Sequence, residues 1–132
     1  MELISWNIRE CGNPRKWKSL NRKMRQESSD ILFLQETKWR CGGLAKIKEK
    51  VWKGINVMAI DAAGQYGGIA ILWQPRTVEF SNWWANKFSL IADFCLLDSG
   101  VQGMVGNIYG PSCFPKKQSF MYFLNWLQEQ AK

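Results

Sequence analysis

The sequence predicts one mixed α/β domain, and three observations carry that reading. Apolar residues recur in short runs ordered as strand, helix, strand, then a meander of strands, then a helix. The chain has 132 residues, the size of one ordinary domain. Its apolar fraction of 46% is enough for a packed core and too high for a disordered chain. No internal repeat, low-complexity tract or linker interrupts the pattern, so 1–132 reads as a single domain.

Each element has its own warrant. Glu2 to Ile8 (ELISWNI) reads as a strand. Asn13-Pro14 starts a helix, with Asn as N-cap and Pro in the first turn, where its fixed φ and missing N–H do no harm. Trp17, Leu20 and Met24 mark one apolar face of that helix to about Glu27, and Ser28-Ser29-Asp30 breaks it. Ile31 to Leu34 (ILFL) is a continuous apolar run, which predicts a strand buried on both faces. Residues 42–53 read as a short Lys-rich helix, Ile55 to Ile60 as a strand and Asp61 to Tyr66 as a turn. Gly67 to Trp73 (GGIAILW) is another strand, stopped by Pro75. A strand follows Gly67-Gly68 rather than a helix, so the pair reads as a turn or a close backbone approach, not a phosphate cradle. Thr77 to Trp84 and Phe88 to Leu97 are two more strands; Asp98-Ser99-Gly100 is a hairpin turn, and Val101 to Tyr109 returns from it. Pro111 and Pro115 bracket a loop, and Phe120, Phe123, Leu124 and Leu127 stripe a final helix, 116–130.

Charge and composition narrow the chemistry. The absence of histidine excludes Ser-His-Asp and Cys-His nucleophile systems, histidine acid/base catalysis and imidazole zinc sites. The net charge of +7 makes polyanions the first partners to consider. All of that excess lies before residue 54, and its densest piece is Arg15, Lys16, Lys18, Arg22, Lys23 and Arg25, with no acid among them. Two readings of this helix stay open: a solvated face, or a contact with a nucleic-acid phosphate backbone. The tryptophans could include base-stacking platforms, but Trp6, Trp17 and Trp73 fall on apolar faces and read as core. Adjacent strand residues point to opposite faces, so one of Trp83 and Trp84 is expected to be exposed or covered by further chain. Cys11, Cys41, Cys95 and Cys113 show no metal-clip spacing and read as reduced thiols of an intracellular protein. Neither a signal peptide nor an apolar run of membrane-spanning length is present, so no membrane partner is expected.

Three polar groups stand where strands end: Asn7, Glu36 and Tyr109. A carboxylate directly after ILFLQ is costly to bury unpaired, so Glu36 must reach solvent, a cation or a metal. If the strands of 2–8 and 31–35 are neighbours, Asn7 and Glu36 project from the same edge. Their oxygens would suit a hard cation such as Mg²⁺; the alternative is a strand-end Asn cap beside a surface Glu.

These residues sit in recognisable motifs. SWNIRECGNPRKWKSL, DILFLQETK, GGIAILW and NIYGP, in that order, resemble the N-terminal part of the endonuclease/exonuclease/phosphatase superfamily, most of all the endonuclease domains of plant non-LTR retrotransposons. The resemblance implies a four-layered α/β sandwich (DNase-like), two mixed sheets face to face with flanking helices outside. It implies hydrolysis of phosphate esters by metal-assisted attack of water, with Mg²⁺ or Mn²⁺ as cofactor and nucleic acid, DNA rather than RNA, as partner. By the same resemblance Asn7 helps to bind metal and orient water, Glu36 is the main metal ligand, and Tyr109 contacts the scissile phosphate region.

The departures are as informative. The superfamily's later Asp/Asn and Asp/His motifs, which supply the base and complete the site, have no counterpart in these residues. Glu10-Cys11 stands where relatives carry small or apolar residues. The expectation is therefore an incomplete sandwich, with one well-formed sheet, helices 14–27 and 116–130, and no useful turnover. An apolar face is expected on the alternating positions of 67–73, 88–97 and 101–109, open to self-association. A non-catalytic remnant that binds nucleic acid or protein through helix 14–27 is the alternative.

Overall fold

Leu3–Asn7 (β1) and Ile31–Gln35 (β2) are parallel neighbours. A parallel pair needs a crossover, and the helix Pro14–Glu27 (α1) supplies it. The structure, a computed structural model, describes residues 2–8, 14–27, 29–38, 54–60, 68–86 and 89–109. The expected elements at 42–53, 61–66, 111–115 and 116–130, and the Glu10-Cys11 departure, lie outside the described residues.

Asn56–Ile60 (β3) and Ile69–Trp73 (β4) complete the first sheet, in the order β1-β2-β4-β3. Chain order suggested a simple meander, but β4 inserts between β2 and β3 and runs antiparallel to both. The reason is apolarity. Residues 69–72 of β4 are buried, as are 31–34 of β2, so these two strands take the centre, where both faces can be covered. On one face Leu32, Leu34, Ala70 and Leu72 meet Leu20 and Met24 of α1. On the other, Ile31, Phe33, Ile69 and Ile71 meet the second sheet.

That second sheet is a three-stranded antiparallel meander, Val78–Asn86 (β5), Ser89–Leu96 (β6) and Gln102–Ile108 (β7). Here the expectation of a single well-formed sheet is corrected: both sheets form, and the inner face of β4 is closed by Val78, Leu90 and their neighbours. Trp83 and Trp84 are both half-buried. A bulge between Ser81 and Trp83, with Asn82 at φ 49°, shifts the strand by one residue. Trp83 consequently packs inward with Trp73 and Phe80, at ring-centroid distances of 5.6 and 5.1 Å. The hairpin turn falls where the sequence puts it, with Gly100 at φ +73° and its N–H bonded to Leu96 O. Leu97, Val101, Met104 and Ile108 are exposed, along that turn and on β7.

Candidate active site

The ends of β1, β2 and β7 bring the predicted residues to one edge. Asn7 is the last residue of β1 and stands opposite Gln35, so it leaves the sheet level with the residue before Glu36. It is exposed, on the edge strand of its sheet. Glu36 adopts φ 53° and Lys38 φ 56°, a left-handed backbone that side chains seldom take and that must be held in place by neighbours. Two bonds flank it: Ile8 N–H donates to Gln35 O at 3.0 Å, and Thr37 N–H to Gly68 O at 3.1 Å. Gly68, at φ +89°, provides the close backbone approach read from the sequence.

The turn exposes the Glu36 carboxylate to Tyr109. The Tyr109 hydroxyl donates a hydrogen bond to Glu36 Oε1, across 73 positions of sequence. Burial, then the hydrogen bond to Glu36, then the charge of Glu36 push the Tyr109 hydroxyl up to about 12. It is thus held protonated, as a donor, at any ordinary pH.

The basic residues are less closely grouped with this edge. Lys16 Nζ donates to Ile8 O at 2.8 Å, which ties the first turn of α1 to the end of β1. Arg15, Lys18, Arg22, Lys23 and Arg25 are exposed on α1. The helix runs back from that edge, so at ~1.5 Å per residue Arg25 stands about 15 Å further along it than Arg15.

Two residues of this edge escaped sequence reasoning. Gln35 is half-buried, and Asn107 on β7 is buried. The Asn107 amide reaches the other sheet: Nδ2 donates to Leu34 O at 3.1 Å and Ala70 O at 2.9 Å, and Oδ1 accepts from Gln35 Nε2 at 2.8 Å. The only signal was a polar residue at an inward position of an alternating strand.

Glu36 and Asn7 offer oxygen donors only, the chemistry a hard divalent cation prefers. They are few: among the described residues no group of three His, Cys, Asp or Glu gathers. The set fits a cation that keeps most of its ligands as water or phosphate oxygens.

No family model matches the sequence, and no curated protein matches it significantly. Solved structures match the fold. The mannosyl-6-phosphatase of Bacteroides thetaiotaomicron aligns with a TM-score of 0.70 at 16% identity, over 98% of this chain and 58% of its own. TDP2 of D. rerio, complexed with a single-strand DNA product, gives 0.69 at 16% over 98% and 53%. An endonuclease/exonuclease/phosphatase family protein of B. thetaiotaomicron gives 0.69 at 15% over 97% and 54%. The fold is the DNase-like one of the endonuclease/exonuclease/phosphatase superfamily. The chain spans about half the length of the solved structures it matches. Among the described residues no helix is long and apolar enough to cross a membrane.

Proposed function

We propose that residues 1–132 form a single domain carrying the first half of a phosphodiesterase site of retrotransposon-endonuclease type. This half binds a phosphate ester with a divalent cation but does not turn it over by itself. The observation that carries the reading is the Tyr109 hydroxyl on the Glu36 carboxylate, beside Asn7. Glu36 and Asn7 would hold Mg²⁺ or Mn²⁺, which when bound supplies Lewis-acid polarisation of a phosphoryl oxygen. Tyr109, held protonated, has a single O–H, which donates to Glu36 in the free chain and would turn to a phosphate oxygen when the ester binds. Turnover also needs a positioned general base, worth about 10²–10⁴-fold; the sequence has no histidine, and among the described residues no group of three His, Cys, Asp or Glu gathers. DNA is the proposed partner, in keeping with the DNA-bound TDP2 neighbour and the basic N-terminal half. The exposed Met104 and Ile108 on β7 support self-association.

A second reading rests on the exposed residues Arg15, Lys18, Arg22 and Arg25, which suit a non-catalytic nucleic-acid contact. Plasmid nicking in Mg²⁺ or Mn²⁺ tests the main reading. Purified chain should stay at background. Metal-dependent nicking that disappears in Glu36→Ala would instead establish a working enzyme.

A further inference from the structure

The Tyr109–Glu36 contact joins residues from two different sheets, and something must set their relative position. The apolar core between the sheets cannot do this alone, because hydrophobic contact is non-directional and tolerates sliding. Its hold on β7 is also light: most of β7 is exposed, and Val105 is the β7 residue packed into the intersheet cluster.

Asn107 is the exception on that strand, with 1% of its surface exposed. Leu34 and Ala70 face each other across the β2–β4 ladder, and the Asn107 Nδ2 group donates to both carbonyls. Its two N–H donors are used there, and its Oδ1 is fixed by Gln35 Nε2. Gln35 Nε2 lies 3.0 Å from Ser5 Oγ as well, which extends the network to β1. Every polar atom of the buried amide is therefore bonded, and hydrogen bonds, unlike apolar contacts, fix both distance and direction.

The spacing gives this network its consequence. Glu36 is two residues beyond Leu34, and Tyr109 is two residues beyond Asn107. Val105, Asn107 and Tyr109 keep the alternation of β7 and turn towards the first sheet, whereas Glu36 follows β2 at φ 53°, out of the alternation that turns the Leu34 side chain towards α1. The tie from Asn107 to the Leu34 carbonyl thus lies two residues behind the contact between Tyr109 and Glu36 on each of the two chain segments, which leave β7 and β2 there. We propose that Asn107 is a positioning residue: its amide locks β7 against β2 and β4 so that Tyr109 meets Glu36. The importance of that contact rests on the function proposed above, but the lock itself is a property of the fold.

The test reads the contact directly. Chain labelled with carbon-13 at tyrosine Cζ gives resonances for three tyrosines, and the Tyr109 signal is the one missing in Tyr109→Phe. Its bond to a carboxylate displaces this signal from the free-tyrosine position, and Glu36→Gln supplies the reference for a changed acceptor. Asn107→Leu, similar in volume, should unfold cooperatively yet lose the displacement. Val105→Ala, two residues earlier on the same face, should loosen β7 and keep it. An unchanged Tyr109 signal in Asn107→Leu overturns the proposal, and so does an equal loss in Val105→Ala. If Asn107→Leu does not fold, Gln35→Met decides, with loss of the displacement supporting the lock and an unchanged signal overturning it. Because the readout is a contact within the protein, it holds or fails independently of nicking and of cation binding.

Discussion

The two sheets are built on different principles. In the first, residues 31–34 of β2 are at most 7% exposed, with α1 on one side and the second sheet on the other. In the second, β7 exposes Gln102, Gly103, Met104, Gly106 and Ile108 and buries Asn107. The centre of the first sheet, β2 and β4, is held by apolar packing on both faces. The second depends at its last strand on a polar tie. The Tyr109–Glu36 contact takes one residue from the end of a strand of each, so a fully buried strand meets a mostly exposed one.

The largest expected effect separates the sheets by stability. Leu32 has 0% exposure between helix and sheet, so Leu32→Ala should cost about 2–5 kcal/mol in urea unfolding followed by tryptophan fluorescence. Met104, 54% exposed on β7, should give a change within about 0.5 kcal/mol when replaced by Ala. Equal costs would break the contrast.

An intermediate effect separates the site edge from the outer helix face. If the basic residues of α1 touch phosphates, log affinity for duplex DNA should fall with log salt by about 0.9 per neutralised phosphate. Replacing Arg15, Lys18, Arg22 and Arg25 by Gln should flatten that slope. An unchanged slope would make them a solvated face and leave binding to the edge around Asn7, Glu36 and Tyr109.

The contrast also explains what could be read from the sequence. Strands 2–8, 31–34 and 67–73 and the helix from Pro14 to Glu27 were legible because their apolar period reports burial directly. The placement of Asn7 and Glu36 at one edge was legible once the strands of 2–8 and 31–35 were taken as neighbours. Three features were not. The insertion of β4 beside β2 is a long-range pairing, and local pattern carries no register between distant strands. The bulge at Asn82 depends on a single residue taking a positive φ, and it turns Trp83 inward. The role of Asn107 rests on carbonyls of Leu34 and Ala70, which every sequence has and none advertises.

A smaller effect concerns pH. Tyr109 is pushed from 10.0 up to about 12 in the folded chain, so folding favours the neutral phenol. Its contribution to stability is full below pH 10 and is lost as pH rises from there towards 12. Near-ultraviolet titration of phenolate, taken as the difference from Tyr109→Phe, should show this late ionisation. In Glu36→Gln it should move down but stay above the ordinary tyrosine value, because burial is the leading cause. Ionisation of Tyr109 near pH 10 in the wild-type chain would contradict the contact.

The central claim is a cation and phosphate site that needs both partners. Water-proton relaxation by Mn²⁺, measured with and without a nucleoside 5′-monophosphate, tests it most directly. The account predicts weak Mn²⁺ binding by the chain alone, clear binding when the phosphate is present, and loss of that binding in Glu36→Gln. Binding that is equally strong without phosphate, or that survives Glu36→Gln unchanged, would contradict it.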